Sequence, residues 1–309
     1  MSALLEIVSK CNCVPDIELL AEREGLYRFL VNGDTVGHMS ANDVAALKGV
    51  LKEHPRPVFN IDDTQRTLSF SDGFDDCATR SAAVAELLAQ MRREKTWASL
   101  SKWRGELYPV YDGSAGVAVM VERAASYNFG IRTYGVHING FTRSATGELR
   151  MWVGRRSLSK PTWPGYLDQI AAGGIGDGMG AWECMVKECG EEAGISPELA
   201  RRGRFAGTIQ YFTRSKLGLQ PETQFVFDLE LPSDFVPVPT DGEVESFLHL
   251  TLDETIERLR LGQFKPNCAA CVVDFLVRHG VVTPDNEPDY LAIMDCLHRP
   301  LPHPAPRFR

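Results

Sequence analysis

Glu188, Glu191 and Glu192 stand at i, i+3 and i+4 in the stretch AWECMVKECGEEAGI. On a helix this spacing puts three carboxylates on one face, within reach of a shared cation. Such a cluster repels itself unless a counter-ion holds it, and the ion that suits oxygen ligands of this kind is a hard divalent metal. Immediately upstream, Gly173, Gly174, Gly176, Gly178 and Gly180 crowd the run GGIGDGMG. Residues without a Cβ let a backbone bend tightly against a ligand, so Gly173 and Gly174 are candidate substrate contacts. Gly194 follows the carboxylates where a left-handed helix stop is expected. A solvated acidic helix face would explain a bare E-x-x-E-E equally well. The ordered glycines in front of this one favour a metal.

Other residues supply the remaining parts of such a site. Lys187 lies four residues from both Glu183 and Glu191, a spacing at which an ammonium holds a carboxylate in place. Asp241, Glu243 and Glu245 in TDGEVESF form a second acidic cluster, from which Glu243 is the candidate general base. Glu243 and Glu245 would share a face in a strand, while Asp241–Gly242 reads equally as turn chemistry. Arg155, Arg156 and Lys160 are candidate phosphate cations. Trp163, in TWPGYLDQ, offers a flat ring just before the glycine run. Asp168 and Gln169 either meet polar ring edges or cap local backbone.

These residues need a scaffold, and the chain divides into three parts. Residues 1–125 contain helical patterns such as VAALKGVLKEH and RSAAVAELLAQMRRE between strand-like pieces such as GLYRFLVNG and TLSFS, which predicts a small α+β domain with no metal or nucleophile constellation. Within it, Trp97 and Trp103 read as core aromatics or a ligand platform. Residues 126–285 alternate as strands in GIRTYGVHINGFT, LRMWVGRRS, TIQYFTRS and TQFVFDLELP around the acidic helix, with Asp253 and Asn267 as caps of two further helices. Residues 286–309 close the chain; from Thr283 onward there are six prolines, which predicts an extended surface tail.

The run from Gly173 to Ile195 resembles the Nudix box, G-x5-E-x7-R-E-U-x-E-E-x-G-U with U apolar. Gly173, Glu188, Cys189, Glu191, Glu192, Gly194 and Ile195 occupy its positions, while Met179 replaces the first Glu and Lys187 replaces the Arg. KPTWPGYLDQIAAGGI, DGEVESF and FKPNCAACVVDFLVRHGVVTPDNEPDY narrow the resemblance, over essentially the whole chain, to a branch related to the Nudix part of fungal thiamine pyrophosphokinase and to plant chloroplast Nudix hydrolases. The resemblance implies an α/β fold, the Nudix α/β/α sandwich, behind the N-terminal domain. It implies Mg²⁺ or Mn²⁺ on Glu188, Glu191 and Glu192, and a catalytic set of Glu191, Glu192, Glu243 and Lys187. Its implied activity is hydrolysis of thiamine diphosphate, especially its oxo and oxy forms, to the monophosphate and phosphate. In that branch the first box Glu is commonly absent. Competing readings are an ADP-ribose or nucleoside-diphosphate-linked hydrolase, an isopentenyl diphosphate isomerase, and a ligand-sensing Nudix module without catalysis.

Composition bounds the rest. A chain of 309 residues with 44% hydrophobic and 24% charged residues reads as a soluble two-domain protein. Its net charge of -8 argues against nucleic acid as a partner. A small-molecule diphosphate is the expected partner, with no membrane, and a homodimer stays open. No apolar run approaches membrane-spanning length and no signal pattern opens the chain, so a cytoplasmic protein is expected. Cys11 with Cys13, and Cys268 with Cys271, lack the ligands of a complete zinc site, and Cys268 and Cys271, which open the apolar stretch CAACVVDFLV, read as core residues.

The missing Glu at Met179 generates a first prediction. With the base in the later cluster, Glu243→Gln should lower kcat more than it raises KM, whereas Met179→Glu should gain little. Steady-state kinetics on both variants check this; a large gain from Met179→Glu with a silent Glu243→Gln would relocate the base.

Overall fold

The computed structural model describes every residue except Pro15, Pro161, Phe308 and Arg309. In the N-terminal unit, Asp34–Met39, Tyr27–Val31, Thr67–Phe70 and Phe59–Asp62 form a four-stranded sheet in that order. The helices Ala41–Leu51 and Cys77–Arg93 follow strands of this sheet, each opened by a side-chain cap, Ser40 and Asp76 respectively. Their apolar faces meet the sheet in a core that includes Phe29, Leu47, Leu68, Leu87 and Met91. Trp97 belongs to this core, edge-on to Phe129, and Trp103 lies beneath the Arg92 guanidinium, so the pair forms no ligand platform. A two-stranded hairpin, Leu107–Tyr111 with Val117–Glu122, leads out of the unit.

The second sheet runs Arg204–Ser215, Gly218–Glu230, Thr133–Arg143, Leu149–Arg156, Val244–Thr251, with Ala171–Gly174 and Leu167–Asp168 added beside the two central strands. Strand alternation sorts its side chains into two cores. Trp152, Phe225 and Phe227 face the acidic helix Ala181–Ala193. Met151, Val153 and Val226 face the helix Pro266–Arg278 on the other side. This is the expected α/β/α sandwich. The expected hairpins are present, including the 133–143/149–156 and 204–215/218–230 pairs. Helix starts differ in detail: Thr251, with a capping box to Glu254, opens Leu252–Arg260 in place of Asp253, and Pro266 opens the next helix ahead of Asn267.

Two boundaries need correction. The first helix, Ala3–Cys11, does not belong to the N-terminal unit; Leu4, Ile7, Val8 and Cys11 join the core under Pro266–Arg278. The stretch expected as an extended tail contains a helix, Tyr290–Leu297, which buries Ile293 and Leu297 in that same core, and Leu301 and His303 are buried beyond it. Both errors have one cause. Short terminal segments gain their helicity from tertiary packing, and proline frequency does not report that.

His303 carries the C-terminal stretch back to the N-terminal unit. Its Nε2 lies 3.0 Å from Nδ1 of His38, with both rings buried, while the Arg132 guanidinium donates to the His303 carbonyl at 3.2 Å. Burial, with Arg28 nearby, lowers His38 to about 4, and burial, His38 and Arg132 push His303 well below the usual imidazole range. Both rings are therefore neutral when folded, whereas the unfolded chain takes up protons near pH 6.5. Stability is full above that pH and falls as the pH drops toward the folded values, by about 2 kcal/mol for His38 at pH 5, with His303 acting in the same direction. Urea unfolding at pH 7 and pH 5 should show this loss, and His303→Leu should flatten it; an equal loss in that variant would show that other groups set the slope.

Candidate active site

The strand Ala171–Gly174 pairs with Gly135–Ile138 and lies against the acidic helix. Glycine is required at Gly173: a Cβ there would overlap the Glu188 carboxyl group. The helix can therefore bring its carboxylates onto the strand itself. Gly194, with φ of 64°, ends the helix in the left-handed conformation as expected. Lys187 bridges Glu188 at 3.2 Å and Glu191 at 2.6 Å, filling the role expected of it, while Glu183 turns back to cap Gly180.

The three box carboxylates occupy different environments. Glu192 is buried and accepts the Ala172 N–H at 2.9 Å. Its oxygens converge with those of Asp241 and Glu243, the ligand atoms lying within 4.8 Å of one another. Glu188 is largely covered, whereas Glu191 stands half exposed at the rim. Burial raises Glu192 well above the usual carboxylate range, and Asp168, Glu188 and Glu243 add to the effect. Burial likewise raises Glu188, against the pull of Lys187. Glu243 is different: burial alone would raise it, but the ion pair with Lys160, with Arg156 and Arg104 nearby, holds it below the usual range. An all-oxygen donor set that runs from the buried Glu192 to the exposed Asp241, with three carboxylates crowded together, fits a divalent cation. Glu192, Asp241 and Glu243 would hold it, with Glu188 beside them.

Arg156 is committed to Asp168 at 2.6 Å and to the Thr162 carbonyl at 3.3 Å, and Arg155 donates to the Gly165 carbonyl at 3.0 Å. Both arginines therefore shape the loop after Leu149–Arg156, Arg156 through an ion pair and Arg155 through one carbonyl. Asp168 stays ionised despite burial because Lys265, Arg156 and His137 surround it, and the Cys268 thiol donates to it at 2.7 Å. Gln169 also departs from expectation. It is buried, with its amide oxygen 2.7 Å from His137 Nδ1 and its amide nitrogen donating to the Cys268 carbonyl at 2.8 Å, so it cannot greet a ligand. Glu245 is exposed at a bulge between Val244 and Ser246, which breaks the face it would have shared with Glu243. Met179 packs against the core and lines an outer cleft with Trp182 and Arg201. Cys268 and Cys271 are buried thiols, as expected; Cys11 is buried too, and Cys13 is exposed. Sequence reasoning missed Lys265, a half-buried ammonium beside Asp168 and Glu222, because a lone Lys before Pro carries no local signal.

Comparison with known proteins agrees with this geometry. Residues 133–269 match the model of the NUDIX domain, and residues 3–133 match a domain of unknown function, DUF4743. The chain is 36% identical to an uncharacterised protein of Saccharomyces cerevisiae over 98% of this chain and 92% of that one. It is 33% identical to the Arabidopsis thaliana protein "Nudix hydrolase 24, chloroplastic" over 94% of this chain and 76% of that one. A crystal structure of a C. elegans Ap4A hydrolase shares 14% identity with a TM-score of 0.37, covering 48% of this chain and 99% of that one. The site is that of a hydrolase of phosphoric anhydride bonds. The chain belongs to the Nudix hydrolase family.

Two substitutions test the site. Glu192→Gln keeps the acceptor for Ala172 but removes a buried charge repelled by Asp168, Glu188 and Glu243. Calorimetry should show Mn²⁺ binding weakened at least about tenfold and kinetics a loss of orders of magnitude in turnover, while the metal-free melting temperature rises by about 2–4 °C for about 1 kcal/mol of relieved repulsion. Gly173→Ala should displace Glu188 and lower Mn²⁺ affinity with the circular dichroism spectrum unchanged. Wild-type metal affinity in both variants would remove these residues from the site.

Proposed function

We propose that this enzyme hydrolyses thiamine diphosphate and its oxo and oxy derivatives to the monophosphate and phosphate, with Mg²⁺ or Mn²⁺ as cofactor. The observation that carries the reading is the loop after Leu149–Arg156. It presents Trp163, 42% exposed and at φ of 52°, three residues from Lys160, which pairs with Glu243. A left-handed conformation is uncommon for a bulky residue, and here Tyr166, edge-on at 5.0 Å between ring centroids, supports the indole. An exposed ring on the loop that reaches a candidate ligand suits a heteroaromatic group with a short diphosphate tail.

A bound divalent cation would supply the positive charge that the phosphoryl oxygens need. The chain's own residues do the rest. Glu243, held ionised by Lys160, accepts a proton from the water that attacks the terminal phosphorus. The bond from that phosphorus to the bridging oxygen breaks, and the monophosphate leaves. Lys187 keeps Glu188 and Glu191 oriented throughout. With Gln169 engaged inside the protein, the ring is recognised by stacking, which accepts thiamine and its oxidised forms alike. The proposed class is therefore thiamine diphosphates, not the oxidised forms alone. All eight cysteines are free thiols, which suits the reducing cytoplasm.

Phosphate release across a panel of thiamine diphosphate, its oxo and oxy forms, ADP-ribose and diadenosine tetraphosphate, with and without Mg²⁺, tests the proposal. The thiamine compounds should give the highest kcat/KM, and Trp163→Ala should raise KM about tenfold with little change in kcat. Tenfold better turnover of ADP-ribose than of every thiamine compound would leave the family assignment intact and overturn the substrate.

A further inference from the structure

Among the described residues the N-terminal unit carries no metal-ligand cluster of its own, yet its hairpin docks on the glycine run of the box. The Asp177 N–H donates to the Leu107 carbonyl at 3.0 Å. Gly174 has no room for a Cβ because the Tyr108 hydroxyl stands there, with the Arg123 guanidinium carbon 3.6 Å from the same point. Arg123 is already committed, paired with Glu106 at 2.7 Å and lying over the Tyr108 ring.

The turn just before this hairpin is built differently. Glu122 is buried, with 2% of its surface exposed, and uses both carboxylate oxygens on main-chain donors of that turn: Arg104 N–H at 2.9 Å and Gly105 N–H at 3.1 Å. Burying a carboxylate is costly, and this one holds a short exposed turn in a single conformation. Gly105 adopts φ of 73°, which lets the chain reverse there. The Arg104 guanidinium is exposed and has no hydrogen bond or ion pair among the described residues, and Arg104 lies three positions before Leu107, whose carbonyl holds Asp177 of the glycine run.

A diphosphate approaching this site meets Glu188, Glu191, Glu192, Asp241 and Glu243, in a chain of net charge -8. The nearby cations Lys160, Lys187 and Arg156 are already paired with carboxylates. Arg104 is uncommitted, and a guanidinium forms the bidentate contacts that phosphate oxygens accept. We propose that the N-terminal domain completes the active site, with Arg104 a ligand of the substrate's diphosphate group and Glu122 the residue that positions it. This rests on the reading of the site as a diphosphate hydrolase.

Calorimetric titration of the full chain with methylenediphosphonate at saturating Mn²⁺, and with Mn²⁺ alone, tests it. Arg104→Ala should weaken diphosphonate binding about tenfold or more while leaving Mn²⁺ affinity unchanged, and Arg104→Lys should recover part of the loss. Glu122→Gln should weaken diphosphonate binding by a smaller factor at unchanged Mn²⁺ affinity. In turnover, Arg104→Ala should raise KM more than it lowers kcat. Diphosphonate affinity within twofold of wild type in Arg104→Ala would overturn the role of Arg104. A wild-type protein that binds Mn²⁺ but no diphosphonate would overturn the underlying reading as well.

Discussion

The close packing of a carboxylate-bearing helix onto a strand nearly without side chains is the constraint on which the site depends. Ala171–Gly174 sits between the acidic helix and Thr133–Arg143, and Gly173 leaves the Glu188 carboxyl group the space a methyl would take. The residue paired with Gly174 is also constrained: Gly135 lies against the Gly173 carbonyl and the Gln224 amide oxygen, and has no room for a Cβ. Two layers of bare backbone thus let Glu192 reach the Ala172 N–H from a buried position. Burial in turn makes the carboxylates poor hosts for their own charge, which is the condition under which a divalent cation binds.

Around that cluster the protein distributes positive charge in pairs. Lys187 spans Glu188 and Glu191, Lys160 holds Glu243, and Arg156 with Lys265 keeps Asp168 ionised. Each pair also fixes a structural element. Arg156 clamps the loop through Thr162, and the Ser157 N–H donating to the Glu243 carbonyl ties that loop to Val244–Thr251. Electrostatic balance and loop placement are therefore the same interactions, so removing one cation shifts both the charge and the position of its neighbours.

What the sequence disclosed follows from the range of each interaction. The box helix, its glycine stop and Lys187's bridge depend on residues within a few positions, and these were legible from spacing. So were the hairpins and the two-faced sheet, because alternation is a local pattern that survives into packing. Gln169 and Arg155 were not legible, since their partners His137, Cys268 and Gly165 meet them only after the sheet has formed. The same applies to Ala3–Cys11 and Tyr290–Leu297, which lie at opposite ends of the chain and pack on one another, Ala3–Cys11 also packing on Pro266–Arg278. The convergence of Asp241 with Glu192 depends on the chain returning to the end of the acidic helix, where the Val238 N–H donates to the Ala193 carbonyl at 3.1 Å, and only the fold reveals it.

The absent box Glu becomes intelligible in these terms. Met179 lies on the glycine turn, but its side chain packs with the core and lines the outer cleft beside Trp182 and Arg201. Glu243 approaches Glu192 from the edge strand, where the bulge between Val244 and Ser246 ends regular pairing and sends Glu245 outward. A strand edge freed from its ladder can aim one carboxylate inward without burying its neighbour. The salt bridge from Lys160 then keeps that carboxylate ionised, which a base must be before it accepts a proton. In the proposed mechanism the proton acceptor is Glu243, in the turn that enters Val244–Thr251, which leaves position 179 to serve packing.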